Sequence, residues 1–151
     1  MERRRILIVD DDIREYEDFV SDLRKRGHVV DTAEEAAGAL ALLGEGEYDV
    51  LVIDIVLPGM DGFQLLGRVR SAARTSHLPV IMITGPAAGP DTMARAMRDG
   101  RTSYVEKPIT VSALVAEIER ALDHREETGT WDVSVRPKAR GRKPRRKGVI
   151  S

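Results

Sequence analysis

The chain has 151 residues, 42% of them apolar, and no cysteine; it can bury one ordinary domain core, and disulfides and thiolate metal sites are excluded. No apolar run approaches the ~18 residues needed to cross a bilayer, and the basic start "MERRR" leads into too short an apolar stretch for a secretory signal, so a cytoplasmic protein without membrane association is expected. The net charge of −1 conceals a division: eight of the 24 Lys and Arg fall between Arg136 and Lys147, leaving 16 against 25 acids in residues 1–132. A body near −9 and a tail near +8 are different materials and are read separately.

"RILIV" (5–9) predicts a first strand, followed by a helix over 14–27 with Phe19, Val20 and Leu23 on one stripe and Gly27 as its stop. "HVVDT" (28–32) is a second strand, and the alanine-rich segment 33–46 a second helix ending in glycine. "DVLVID" (49–54) is followed by a helix over 61–73 carrying Phe63, Leu66 and Val69. "PVIMIT" (79–84) precedes a glycine- and proline-rich loop, 85–91, and a helix over 90–100 with Met93 and Met97 on its core stripe. "SYVEK" (103–107) leads into a last helix over 110–127, with Thr110 as its N-cap. Three of the five strands are apolar on both faces, which suits a buried parallel sheet. Strands alternating with helices imply an α/β domain covered on both faces.

In such sheets ligands bind beyond the carboxyl ends of the strands, which selects Asp10, Asp11, Asp12, Asp54, Thr84 and Lys107. Two carboxylates ~4 Å apart repel by roughly 4 kcal/mol at an effective dielectric near 20. Acids from adjacent strands therefore want a cation, and all-oxygen ligation points to Mg²⁺, or Mn²⁺. The Thr84 hydroxyl and the Lys107 ammonium would form an oxyanion cradle beside them. The set points to phosphoryl transfer onto a carboxylate, with Asp54 as nucleophile.

The motifs "ILIVDDD", "VLVIDIVLPGMDGFQLL", "PVIMITG" and "YVEKP" occur together, in this order, across residues 5 to about 125. In this the chain resembles the receiver domains of bacterial two-component response regulators. The resemblance implies a flavodoxin-like doubly wound (βα)5 fold with sheet order 2-1-3-4-5, a receiver over 1–125 and a basic, disordered tail over 126–151. It implies phosphorylation of Asp54 by a histidine kinase or phosphotransfer protein. Metal would be held by Asp10, Asp11, Asp54 and the backbone carbonyl of Val56, with Asp11 a direct ligand. Thr84 and Lys107 would bind the phosphoryl group, Tyr104 would be the aromatic switch residue, and Lys107–Pro108 a cis peptide. The chain would then be a signalling switch rather than an enzyme, changing its affinity for a downstream protein, or for a second copy, through the face formed by 90–100, 103–107 and 110–127.

Several features depart from or qualify this pattern. Val56 and Pro86 are apolar at places where a polar side chain could orient a water, so a long-lived aspartyl phosphate is expected. Arg101 occupies a place the family usually gives to a small residue. Asp12 is expected to begin the first helix and meet its dipole. Tyr104 also has a plain reading as a half-buried packing aromatic, and His28, His77 and His124 show no ligand spacing.

The tail lacks periodicity and is rich in arginine and proline. Its stretch "RGRKPRRK" (140–147) weakly resembles an AT-hook, which makes Arg140, Arg142, Lys143, Arg145, Arg146 and Lys147 candidate nucleic-acid contacts. The alternative reading is therefore a DNA-binding regulator whose receiver controls or dimerises the tail. A third is fold-back of the basic tail onto the acidic body, with Trp131 as an anchor.

Overall fold

The computed structural model describes residues 3–85, 91, 94, 101–128 and 149–150, of which 124–128 and 149–150 are described by backbone alone. Five parallel strands, β1 (Arg5–Val9), β2 (Val29–Ala33), β3 (Val50–Asp54), β4 (Val80–Thr84) and β5 (Thr102–Glu106), form a sheet in the order β2-β1-β3-β4-β5. Helices α1 (Glu17–Lys25), α2 (Ala36–Glu45), α3 (Gly62–Ser71) and α4 (Val111–Thr128) lie between and after them. Asp91 and Ala94 are helical, within the expected 90–100 helix. Met93, Met97 and Pro86 lie outside the described residues.

Period-two alternation divides each central strand between two cores. Ile6, Ile8, Val50, Val52, Ile81 and Ile83 pack on one face with Phe19 and Leu23 of α1 and Leu114 and Ile118 of α4. Leu7, Val9, Leu51, Ile53, Val80 and Met82 pack on the other with Ala39, Leu43, Leu65 and Val69. Both faces being covered explains why β3 and β4 read as unbroken apolar runs. In α3 it is Leu65, Leu66 and Val69 that are buried, whereas Phe63 is only partly so.

Register carries the strand ends to one corner. Val9 pairs with Ile53, so Asp10 falls beside Asp54 one residue later. On the other side Thr84 pairs with Glu106, and the Lys107 amide continues the ladder by donating to the Thr84 carbonyl at 2.7 Å.

Local signals hold with two differences. Asp61 and Gln64 form a reciprocal capping box at the start of α3, and Thr110 Oγ1 accepts from the Ala113 amide at 3.2 Å to cap α4. The first helix, however, opens as a 3-10 turn, Ile13–Tyr16, before α1 begins at Glu17. Asp12 precedes that turn without capping it through its side chain, and its carboxylate pairs with Arg14 at 3.4 Å instead.

Helix α4, expected over 110–127, runs from Val111 to Thr128. Val149–Ile150 forms strand β7 antiparallel to β6 (Ile109–Thr110), with Ile109 opposite Ile150. Trp131 and the six basic residues from Arg140 to Lys147 lie outside the described residues.

Candidate functional site

Asp54 is the last residue of a strand buried along its whole length, and its carboxylate is held at both oxygens. The Val56 amide donates to Oδ1 at 2.8 Å and the Lys107 ammonium to Oδ2 at 3.1 Å. The chain can double back tightly after β3 because residue 62 is glycine. A Cβ there would lie 2.6 Å from the Asp54 carbonyl oxygen and 2.7 Å from the Ile55 Cα. The Gly62 amide instead donates to the Ile55 carbonyl at 2.7 Å, fixing the backbone beside the acid.

Asp10 is buried next to Asp54. The Asp12 amide donates to its Oδ1 at 2.8 Å, while Oδ2 is buried without a hydrogen-bond partner. Burial, reinforced by the neighbouring Asp54, pushes the Asp10 carboxyl up to about 7. Burial works to lower the Lys107 ammonium, but the hydrogen bond to Asp54 and the charges of Asp54, Asp10 and Glu15 outweigh it, and the group sits above its ordinary value. Thr84 is fully buried, and its Oγ1 has no hydrogen-bond partner. The peptide between Lys107 and Pro108 is cis.

The structure thus brings Asp10, Asp54, Thr84 and Lys107 together. Asp11, the residue after Asp10, is exposed at the same strand end. Tyr104, opposite Met82, is partly buried against the second core.

Two residues in the turn after β1 were not legible as part of the site. Tyr16 is fully buried with its hydroxyl unpartnered, and burial first, then the charge of Asp10, raises it well above the ordinary phenol range. Glu15 directs a buried Oε2 toward Lys107, 3.9 Å from Nζ. In sequence an acid there reads as a solvated partner of the helix dipole. The 3-10 turn, with three residues per turn, is what swings it inward.

The residues present suit Mg²⁺. The ion keeps several waters and needs only one or two protein carboxylates, and Asp10 Oδ2 is a buried carboxylate oxygen without a hydrogen-bond partner.

The family model described as the response regulator receiver domain matches residues 6–119. The chain belongs to this family. The receiver is 38% identical over 121 residues to the chemotaxis protein CheY of Pseudomonas aeruginosa, covering 79% of this chain and 96% of that protein. It is 36% identical over 121 residues to the transcriptional regulatory protein TcrA of Mycobacterium tuberculosis, covering 80% of this chain but 46% of TcrA. The chain thus spans about half the length of that larger relative. Among solved structures, a CheY-like receiver domain protein from Methanospirillum hungatei superimposes with a TM-score of 0.75 at 29% identity, covering 83% of this chain and 98% of that one. Receiver domains act in phosphorylation-dependent two-component signalling, and this chain is such a signalling protein.

Proposed function

We propose that Asp54 is the phosphoacceptor and that this receiver takes its phosphoryl group from a histidine kinase or phosphotransfer protein. The reading rests on one observation above others: a carboxylate at the end of a fully buried strand, held by the Lys107 ammonium at 3.1 Å beside the buried, unpartnered Thr84 hydroxyl. An Asp54 oxygen attacks phosphorus, the bond from phosphorus to the donor's imidazole nitrogen breaks, and the imidazole leaves. Lys107 and Thr84 then donate to phosphoryl oxygens that the carboxylate alone would repel. Asp10, Asp11, Asp54 and the Val56 carbonyl would hold Mg²⁺, with Asp11, exposed at the same strand end, a direct ligand. When bound, the ion neutralises the paired acids and the incoming oxygens.

Thr84 and Tyr104 lie on β4 and β5, so their repositioning would alter the face made by β5 and α4 for a downstream protein or a second copy; most of the 90–100 segment expected to complete that face lies outside the described residues. No described helix is long and apolar enough to cross a membrane, which is compatible with a cytoplasmic switch. The experiment is incubation with Mg²⁺ and acetyl phosphate, or beryllofluoride as a mimic, comparing the native protein with Asp54→Asn. Labelling of the variant equal to the native protein would overturn the assignment.

The family match ends at residue 119 and lends the DNA-binding reading of the tail no support. The β6–β7 pairing favours fold-back of the chain's end onto the receiver instead. Eight neutralised phosphates would give a logarithmic salt slope near about −7 on duplex DNA; a flat response rules nucleic acid out.

A further inference from the structure

Glu15 is not explained by the set of groups above. Its side chain as a whole is 32% exposed, yet Oε2 is buried, has no hydrogen-bond partner and lies 3.9 Å from Lys107 Nζ. The 3-10 turn fixes it there, with the Glu15 amide donating to the Asp12 carbonyl at 3.1 Å. Its neighbours in sequence do not share this position: Asp12 pairs outward with the exposed Arg14, and Asp11 is exposed.

We propose that Glu15 is a positioning residue for this site, a second counter-ion that holds Lys107 in the unphosphorylated receiver and sets how readily a phosphoryl group enters. The inference rests on the assignment of Asp54 as acceptor. A buried carboxylate oxygen without a donor is costly unless a cation faces it, and Lys107 is the cation that faces this one. The ammonium carries three donors: one goes to Asp54, and Glu15 attracts a second from just beyond hydrogen-bond distance. An incoming phosphoryl group brings a charge of about −2 and must take those donors. Glu15 is then left facing a dianion with its counter-ion withdrawn. Its charge therefore stabilises the resting arrangement and opposes modification, a restraint separate from the one that metal relieves at Asp10 and Asp54.

The test is Glu15→Gln, which keeps shape and polarity. At saturating Mg²⁺, labelling by acetyl phosphate is faster by roughly three- to tenfold, while Mg²⁺ affinity by calorimetric titration stays within about twofold. An unchanged or slower rate overturns the proposal. So does a tenfold loss of Mg²⁺ affinity, which would make Glu15 a metal ligand. A second measurement does not depend on phosphorylation. In metal-free protein, Glu15→Gln raises Tm more in a Lys107→Met background than in the native one, because only the native protein loses an attraction. Equal shifts in both backgrounds show that the two side chains do not pair. Failure of the Asp54 assignment shows separately, as native protein that labels no more than Asp54→Asn.

Discussion

Lys107 reaches across from the end of β5 to Asp54 at the end of β3, Nζ to Oδ2 at 3.1 Å, while its amide donates to the carbonyl of the fully buried Thr84 at the end of β4. The contact spans the one strand between them, so it reports any change at the acid directly to β5. Replacing Lys107 with methionine keeps the stem's packing and removes the donor. We expect labelling of Asp54 to slow by roughly 10²- to 10³-fold, the cost of losing one preorganised oxyanion donor. Beryllofluoride should then leave the amide spectrum of β5 almost unmoved. A β5 response of native size in Lys107→Met would show that the signal travels by another route.

Asp10 gives a pH signature with a defined sign. Its folded-state carboxyl sits at about 7, above the ordinary 3.8, so between these values the folded chain binds more protons than the unfolded one. Its contribution is fully present below the ordinary value and is lost as pH rises through about 7. Metal-free protein should therefore lose stability from pH 5 to pH 8, by an amount on the order of a few kcal/mol. Asp10→Asn should be flatter over that range and more stable at pH 8. Thermal melts with and without EDTA check this, and Mg²⁺ should stabilise the native protein much more than the variant. His28 works in the opposite sense, since burial lowers its imidazole, but the difference between native protein and Asp10→Asn removes its contribution.

Gly62 is where backbone fit meets the site. A Cβ at 2.6 Å from the Asp54 carbonyl oxygen meets backbone rather than a yielding side chain. Gly62→Ala should therefore displace the end of β3 and cost about 1–3 kcal/mol, with phosphorylation falling more steeply than stability. Gly67→Ala, an exposed position in the same helix where an added Cβ has open space, should be neutral or slightly stabilising. Urea melts and acetyl phosphate labelling of the two variants separate the effects.

Strand alternation and the apolar runs made the sheet legible in the sequence, because β3 and β4 need cover on both faces whatever the details of the helices. Asp10, Asp54 and Lys107 were legible for a related reason: parallel register puts their strand ends together. The 3-10 turn was not. Nothing in "DDDIREY" marks where a tight turn gives way to an α-helix, and that choice decides whether Glu15 and Tyr16 face the solvent or the site. The β6–β7 pairing was hidden because two residues carry no periodicity, and their partners lie 39 and 41 positions away.

That pairing can be tested alone. Removing residues 149–151 should speed amide hydrogen exchange at Ile109 and Thr110 and leave β1 to β5 protected. A two-residue ladder contributes little, so the loss of Tm should be no more than about 2 °C. Unchanged exchange at both amides would mean that the chain's end does not dwell there in solution.

The lifetime of the aspartyl phosphate follows from what surrounds Asp54. Val56 projects into solvent, 73% exposed, and donates only its amide to the acid. Its side chain offers nothing to hold a water in line with the phosphorus–oxygen bond, so hydrolysis must recruit water from bulk without help from this position. The modified protein should survive well beyond a minute, measured by loss of label after removal of the donor. Val56→Asn or Val56→Glu, which add a hydrogen-bonding group at that exposed place without disturbing the backbone donor, should shorten the lifetime several-fold. A native half-life of seconds would mean that another group near Asp54 already positions the water.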